Sequence, residues 1–242
     1  MNKANVIEIF SSVQGEGVYI GYRQIFVRLA DCNLNCPYCD TDFSRADFCN
    51  VETSAGSMNF SHKQNPLDAA QVADVIKKFS RQVPTHSVSF TGGEPLIRYQ
   101  FVGEVAHAVK DFGLRTFLET NGTLPNEFEK IANAIDIISM DIKLLGDNLL
   151  SLHDKFLRAA LGKDLYVKIV VADNTTLEEF LAAVALVADV DKNIPLIIQP
   201  VTPVNSICAA PATKILRLQA AASHLVKNIR VIPQTHKFIN LL

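Results

Sequence analysis

The chain has 242 residues, 48% of them hydrophobic, which gives enough length and apolar content for a packed core and excludes a disordered chain. A net charge of −2 excludes the broad basic field of a protein whose main partner is nucleic acid. No run reaches the roughly 18–20 apolar residues of a membrane span, and the N-terminal stretch meets Glu8 and Gln14 before any signal-like apolar core. The expected location is the cytoplasm, where clustered cysteines serve metal or redox chemistry rather than disulfides.

In chain order, Gln24 to Ala30 reads as a strand. Phe43 to Gln64, rich in Ser, Asn and Asp, reads as an irregular surface insertion. Asn65 to Gln82 carries Val72, Val75, Ile76 and Phe79 at helical spacing. The stretch SVSFTGG is a short strand ending in glycines, and the helix FVGEVAHAVKDFG stops at Gly113. RTFLETNG is the next strand, and Asn126 with Glu129 resembles a capping box opening a helix. IDIISMDIK is a strand, 151–161 a helix, and LYVKIVVAD a strand rich in β-branched residues. Thr176 with Glu179 opens a helix bearing Leu177, Phe180, Leu181 and Val184; IPLIIQPV, a helix over 212–227 and IRVIP close the series.

This alternation predicts an α/β fold: a single-domain, partial (open) β/α barrel over residues 1–242 with about six parallel βα units and right-handed crossovers. The polar motifs CDT, TGGEP, ETNG, DIK and QPVTP all fall at or just after C-terminal strand ends. Parallel α/β folds bind ligands along that edge.

Cys32, Cys36 and Cys39 form C-x3-C-x2-C, three of the five cysteines in the chain. Thiolates are soft ligands suited to zinc, Cu(I) or iron–sulfur clusters. A structural zinc site wants a fourth ligand, and neither Cys49 nor His62 offers a paired pattern. A [4Fe–4S] cluster held by three thiolates keeps one iron open. The two glycines of Thr91-Gly92-Gly93-Glu94-Pro95 allow close backbone approach to a ligand, with Glu94 suited to an ammonium, although GGEP alone is equally a plain turn.

The cysteine motif with Tyr38 before the third cysteine, followed by TGGEP, resembles the radical S-adenosylmethionine (SAM) superfamily. With SSVQGEG before the first barrel strand, Arg28 four residues before Cys32, CDT, and the terminal PQTHKFINLL, the chain resembles the 7-carboxy-7-deazaguanine synthase family over nearly its whole length. That resemblance implies a lyase converting 6-carboxy-5,6,7,8-tetrahydropterin to 7-carboxy-7-deazaguanine with loss of ammonia, in queuosine and other deazapurine biosynthesis. It implies a [4Fe–4S] cluster on Cys32, Cys36 and Cys39 and Mg²⁺ on Thr41. SAM would meet Tyr38, Cys39, Asp40, Gly93, Glu94, Asp141, Ile142, Lys143, Gln199, Pro200, Val201 and Thr202. The substrate would meet Val13, Gln14, Gly15, Glu16, Arg28, Thr91, His236 and Leu242, with residues 228–242 closing the site. A flavodoxin-like reductant and a homodimer follow from the same resemblance. The family often has Ser-Pro-Lys where this chain has Asp141-Ile142-Lys143, so only Lys143 transfers directly.

Two other readings remain at this stage. A glycyl-radical-activating enzyme shares the cysteine motif, but Gln14-Gly15-Glu16-Gly17 and the chain end speak against it. An iron–sulfur electron carrier would need a fourth protein ligand. Cys49 and Cys208 read as plain thiols, and His86, His107, His153 and His224 carry no case.

Overall fold

A computed structural model describes residues 2–39, 41–204 and 206–241, and all but the side chain of Asp147 within them. Asp40 and Leu242, both expected in the site, lie outside the described residues.

Among the described residues, twelve strands and six α-helices follow one another. The strands are β1 (Lys3–Ala4), β2 (Val6–Val13), β3 (Arg23–Leu29), β4 (Phe48–Glu52), β5 (Phe60–Gln64), β6 (Leu67–Asp68), β7 (Ser87–Gly92), β8 (Arg115–Thr120), β9 (Ile137–Ile142), β10 (Asp164–Val171), β11 (Leu196–Pro200) and β12 (Ile229–Val231). The helices are α1 (Ala69–Ser80), α2 (Tyr99–Asp111), α3 (Pro125–Ile131), α4 (Leu150–Ala159), α5 (Leu177–Val190) and α6 (Ala212–Ala222).

Among the described residues ten strands form one sheet in the order β12-β11-β10-β9-β8-β7-β3-β2-β4-β5, and the run β3-β7-β8-β9-β10-β11-β12 pairs in parallel. One helix separates each successive pair of these parallel strands, which gives six crossovers, as the alternation of patterns predicts. β2 runs antiparallel to β3 and is joined to it directly. The stretch expected to be irregular instead carries β4 and β5, an antiparallel hairpin that extends the sheet beyond β2.

The helices bury apolar stripes on the sheet. In α1 these are Val72, Val75, Ile76 and Phe79, behind a capping box in which Asp68 and Gln71 exchange backbone hydrogen bonds. Thr176 and Glu179 do the same for α5. The box expected at Asn126 is absent: α3 starts with Pro125, after Leu124 at the N-cap, and no side chain caps it. Proline at the first helical position has its φ preset and lacks an N–H to satisfy, so the helix starts early and places Asn126 inside.

β10 and β2 are five places apart in the sheet, roughly 24 Å if it were flat. Yet Lys168 on β10 pairs with Glu16, just past the end of β2. The sheet therefore curls, and it brings the C-terminal ends of its parallel strands around one cavity. Among the described residues no helix is long and apolar enough to cross a membrane.

Candidate active site

The cavity has a volume of about 500 Å³. β2 and the turn after it contribute Glu8, Phe10 and Val13 to Glu16, and β3 contributes Arg28. The β3 loop adds Cys32, Cys36, Tyr38, Cys39 and Thr41; the β7 end adds Thr91 to Gly93; the β8 end adds Glu119 to Asn121. Asp141 and Lys143 come from the β9 end, Lys168 from β10, and Gln199, Val201 and Thr202 from the β11 end. Gln234, His236, Lys237 and Leu241 close it from the chain's last segment.

The cysteine loop is seated by the glycines. Gly92 has φ +121°, and a Cβ there would lie 2.2 Å from the Leu29 carbonyl oxygen. A Cβ on Gly93 would lie 1.9 Å from the Asp31 oxygen. The N–H groups of Gly93 and Glu94 donate to Leu29 and Asp31 at 3.1 and 2.9 Å. The glycine pair thus lets the β7 end press against the backbone entering the cysteine loop. Asp31 itself has φ +71° and accepts from Arg45 and Arg98.

Cys32, Cys36 and Cys39 are half-buried on this loop, and the Cys39 N–H donates to the Cys36 carbonyl at 3.0 Å. Burial pushes the Cys32 and Cys36 thiols up, and the Lys143 ammonium opposes this at both. Among the described residues no three His, Cys, Asp or Glu side chains converge in a way suited to one metal ion. A cubane cluster does not ask for that, because each thiolate binds a different iron. Three sulfur donors open to a shared cavity fit such a cluster.

Behind the loop, Lys143 lies 5.6 Å from the centre of the Tyr38 ring and 3.1 Å from Asp141. Burial pushes the Tyr38 phenol well up. Burial alone would lower Lys143, but Asp141 outweighs it and raises the ammonium. Among the described residues, buried Tyr38 Oη and Gln199 Oε1 have no hydrogen-bond partner, and Asp141 Oδ1 has only the Lys168 ammonium, 3.5 Å away. Buried polar atoms of this kind are satisfied by ligand or water.

Three residues expected around SAM sit back from the cavity. Glu94 is fully buried and accepts from Leu96 N, Thr120 Oγ1 and Asn121 N at 3.0, 2.9 and 2.7 Å. Its carboxylate thus ties the β7 end to the β8 end, and burial lifts it to about 7. Ile142 is in the core, and Pro200 ends β11 without joining the cavity wall.

At the opposite wall, Gln14 turns its side chain inward. Its Nε2 donates to Glu119 and Gln24 at 2.9 and 3.1 Å, and its Oε1 accepts from Glu16 N at 3.0 Å. Thr91 Oγ1 donates to the other Glu119 oxygen at 2.8 Å. Arg28 Nε donates to Glu8 at 2.6 Å. Glu16 pairs with Lys168 and accepts from Gln234 Nε2 at 2.9 Å. Burial would raise the Glu16 carboxyl, but Lys168, joined by the Gln234 hydrogen bond and the weaker pull of His236, holds it at about 2.

The last segment docks on this wall. Thr235 donates to the Gly15 carbonyl from N at 2.8 Å and from Oγ1 at 3.0 Å, and Thr202 Oγ1 donates to Gln234 at 2.7 Å. Sequence reasoning missed Lys168. A lone lysine inside the apolar run LYVKIVV was its signal.

The sequence profile of the Radical SAM superfamily matches residues 27–199. The 7-carboxy-7-deazaguanine synthase of Geobacter sulfurreducens is 38% identical to this chain, over 99% of it and 98% of the relative. The 7-carboxy-7-deazaguanine synthase of Methanocaldococcus jannaschii is 37% identical, over 97% of this chain and 99% of its own length. Among solved structures, QueE from Escherichia coli superposes with a TM-score of 0.64 at 22% identity, over 97% of this chain and 95% of that one, which shows a shared fold. A match of this extent to curated relatives, carried on the radical SAM fold, places the chain in the 7-carboxy-7-deazaguanine synthase family of the radical SAM superfamily.

Proposed function

We propose that the chain converts 6-carboxy-5,6,7,8-tetrahydropterin to 7-carboxy-7-deazaguanine with loss of ammonia. The observation that carries this reading is the meeting of the three-cysteine loop, Arg28 and the Val13–Glu16 turn in one cavity. Cys32, Cys36 and Cys39 would hold the [4Fe–4S] cluster. SAM would lie along Tyr38, Gly93, Asp141, Lys143, Gln199, Val201 and Thr202, where the unpartnered Tyr38 and Gln199 atoms can be satisfied. Together these cofactors would supply one-electron reduction and radical hydrogen-abstraction chemistry at the substrate.

The chain's own groups then bind, orient and enclose. Arg28 keeps its two terminal nitrogens for the substrate carboxylate while Nε is held by Glu8. The Thr41 hydroxyl would join that carboxylate on Mg²⁺, which takes oxygen ligands and retains waters. The Gln14 N–H and carbonyl are bonded to Tyr22 and Gly21 and the Gly15 carbonyl to Thr235, so the peptide groups this turn keeps for the ring edge are those of Val13 and the Gly15 N–H, and Glu16 accepts from the ring's amino or N–H groups. Thr91 and His236 complete the wall, and the last segment limits water entry. A flavodoxin-like reductant, a homodimer, a single domain and a cytoplasmic location belong to the same reading.

The test is an anaerobic assay with reconstituted iron and sulfide, SAM, reductant, Mg²⁺ and the pterin. The deazaguanine product is expected. Deoxyadenosine without that product would keep the superfamily and reject the substrate.

A further inference from the structure

Lys168 sits in the middle of β10 with its side chain 3% exposed, between two carboxylates. Its ammonium pairs with Glu16 Oε2 and lies 3.5 Å from Asp141 Oδ1. Asp141 in turn pairs with Lys143. The result is an alternating chain, Glu16–Lys168–Asp141–Lys143, running along the cavity from the turn after β2 to the end of β9. A buried ammonium persists only when paired, and removing one partner strands the other.

We propose that Lys168 is a positioning residue of the substrate site, pinning the Glu16 carboxylate in the ionised, cavity-facing form that accepts hydrogen bonds from a ring N–H and amino group. This rests on the function proposed above. Gln234 fixes the second Glu16 oxygen from the last segment, so the carboxylate is held from two sides and keeps its remaining lone pairs for a ligand.

The charged and titratable groups around Glu16 come from several elements. β10 supplies Lys168 and Tyr166, β9 supplies Asp141 and Lys143, β8 supplies Glu119, and the last segment supplies His236 and Lys237. Lys168 is the cation in contact with Glu16, and His236 contributes more weakly. Without Lys168, burial, which raises the Glu16 carboxyl, favours its protonated form. A protonated carboxyl offers an O–H where the ring also offers donors, so donor meets donor at one oxygen and the ligand loses a charge-assisted hydrogen bond.

The test uses Lys168→Met, Lys168→Arg and the double variant Lys168→Met/Glu16→Gln in the full chain. Infrared difference spectra against wild type, which cancel the buried Glu94 acid common to all variants, should show an added carboxylic acid C=O band in Lys168→Met without substrate that disappears as pH rises. The added band should be missing from Lys168→Arg and the double variant. If Lys168→Met does not fold, Lys168→Gln serves the same measurement. In turnover, the pterin KM of Lys168→Met should rise about tenfold for each pH unit below the new Glu16 pKa, with kcat moving far less. Lys168→Arg should restore a flat profile. Absence of the added acid band, or a pH-independent KM in Lys168→Met, would overturn the proposal. If wild type does not turn over the pterin, the substrate assignment fails while the infrared result still decides the role of Lys168.

Discussion

Nε of Arg28 donates to Oε1 of Glu8 at 2.6 Å, between two residues that face each other across the antiparallel β2–β3 pair. The bond fixes one edge of the guanidinium and leaves the Nη pair to meet a carboxylate as a fork. Arg28→Lys keeps the charge and loses the fork. Its pterin KM is expected to rise on the order of tenfold to a hundredfold, the worth of one or two charge-assisted hydrogen bonds. Glu8→Gln should shift KM by a smaller factor, because the amide still accepts from Nε. An unchanged KM in Arg28→Lys would leave Arg28 as a partner of Glu8 alone.

The three loop cysteines are half-buried and stand outside the apolar core, whereas Cys49 is buried within it. Each of Cys32→Ser, Cys36→Ser and Cys39→Ser should fold with an unchanged circular dichroism spectrum. Each should lose its iron on desalting after anaerobic reconstitution and form no deoxyadenosine. Cys208→Ala should retain full iron content. Iron retained at the wild-type level in any of the three serine variants would remove that cysteine from the ligand set.

The six crossovers were legible because each parallel strand is a short β-branched run and each helix shows a 3.6-residue apolar stripe. The β4–β5 hairpin was not, for a local reason. β5 has no buried residue, so Phe60 to Gln64 shows no inward face, and only Cys49, Val51 and Glu52 of β4 point inward. The cysteine loop announces itself by spacing. Lys168 does not, because its partner Glu16 lies 152 residues away and only the curl of the sheet brings them together. Glu94 shows the converse: a carboxylate that reads as open to a ligand is occupied by three donors of the chain itself.

Gly15 is a glycine for space rather than for backbone freedom, since its φ is not positive. A Cβ there would lie 2.1 Å from Nδ1 of His236 and 2.6 Å from its Cβ. Gly15→Ala must therefore displace the last segment, which Thr235 otherwise ties to the Gly15 carbonyl. Turnover should fall on the order of tenfold to a hundredfold, as for a misplaced positioning group. Trypsin should cut faster at Lys237, with little change in Tm. Wild-type turnover together with faster cleavage would separate the segment from the reaction.

His153 is fully buried on α4, and its Nε2 lies 3.1 Å from the Asn121 carbonyl oxygen. A carbonyl only accepts, so the ring carries a proton on Nε2. Burial holds its pKa down to about 4, against 6.5 for a free imidazole. The unfolded chain therefore takes up this proton first as pH falls. The stability contributed by neutral His153 is fully present above pH 6.5 and is lost as pH falls toward about 4. The loss is about 3 kcal/mol over that window, at about 1.4 kcal/mol per pKa unit. His153→Gln retains an N–H for Asn121 and has no proton to gain. Urea unfolding at stepped pH should show a steep acid-side loss in wild type that is shallower by this amount in His153→Gln. Parallel curves would mean that other groups carry the acid sensitivity.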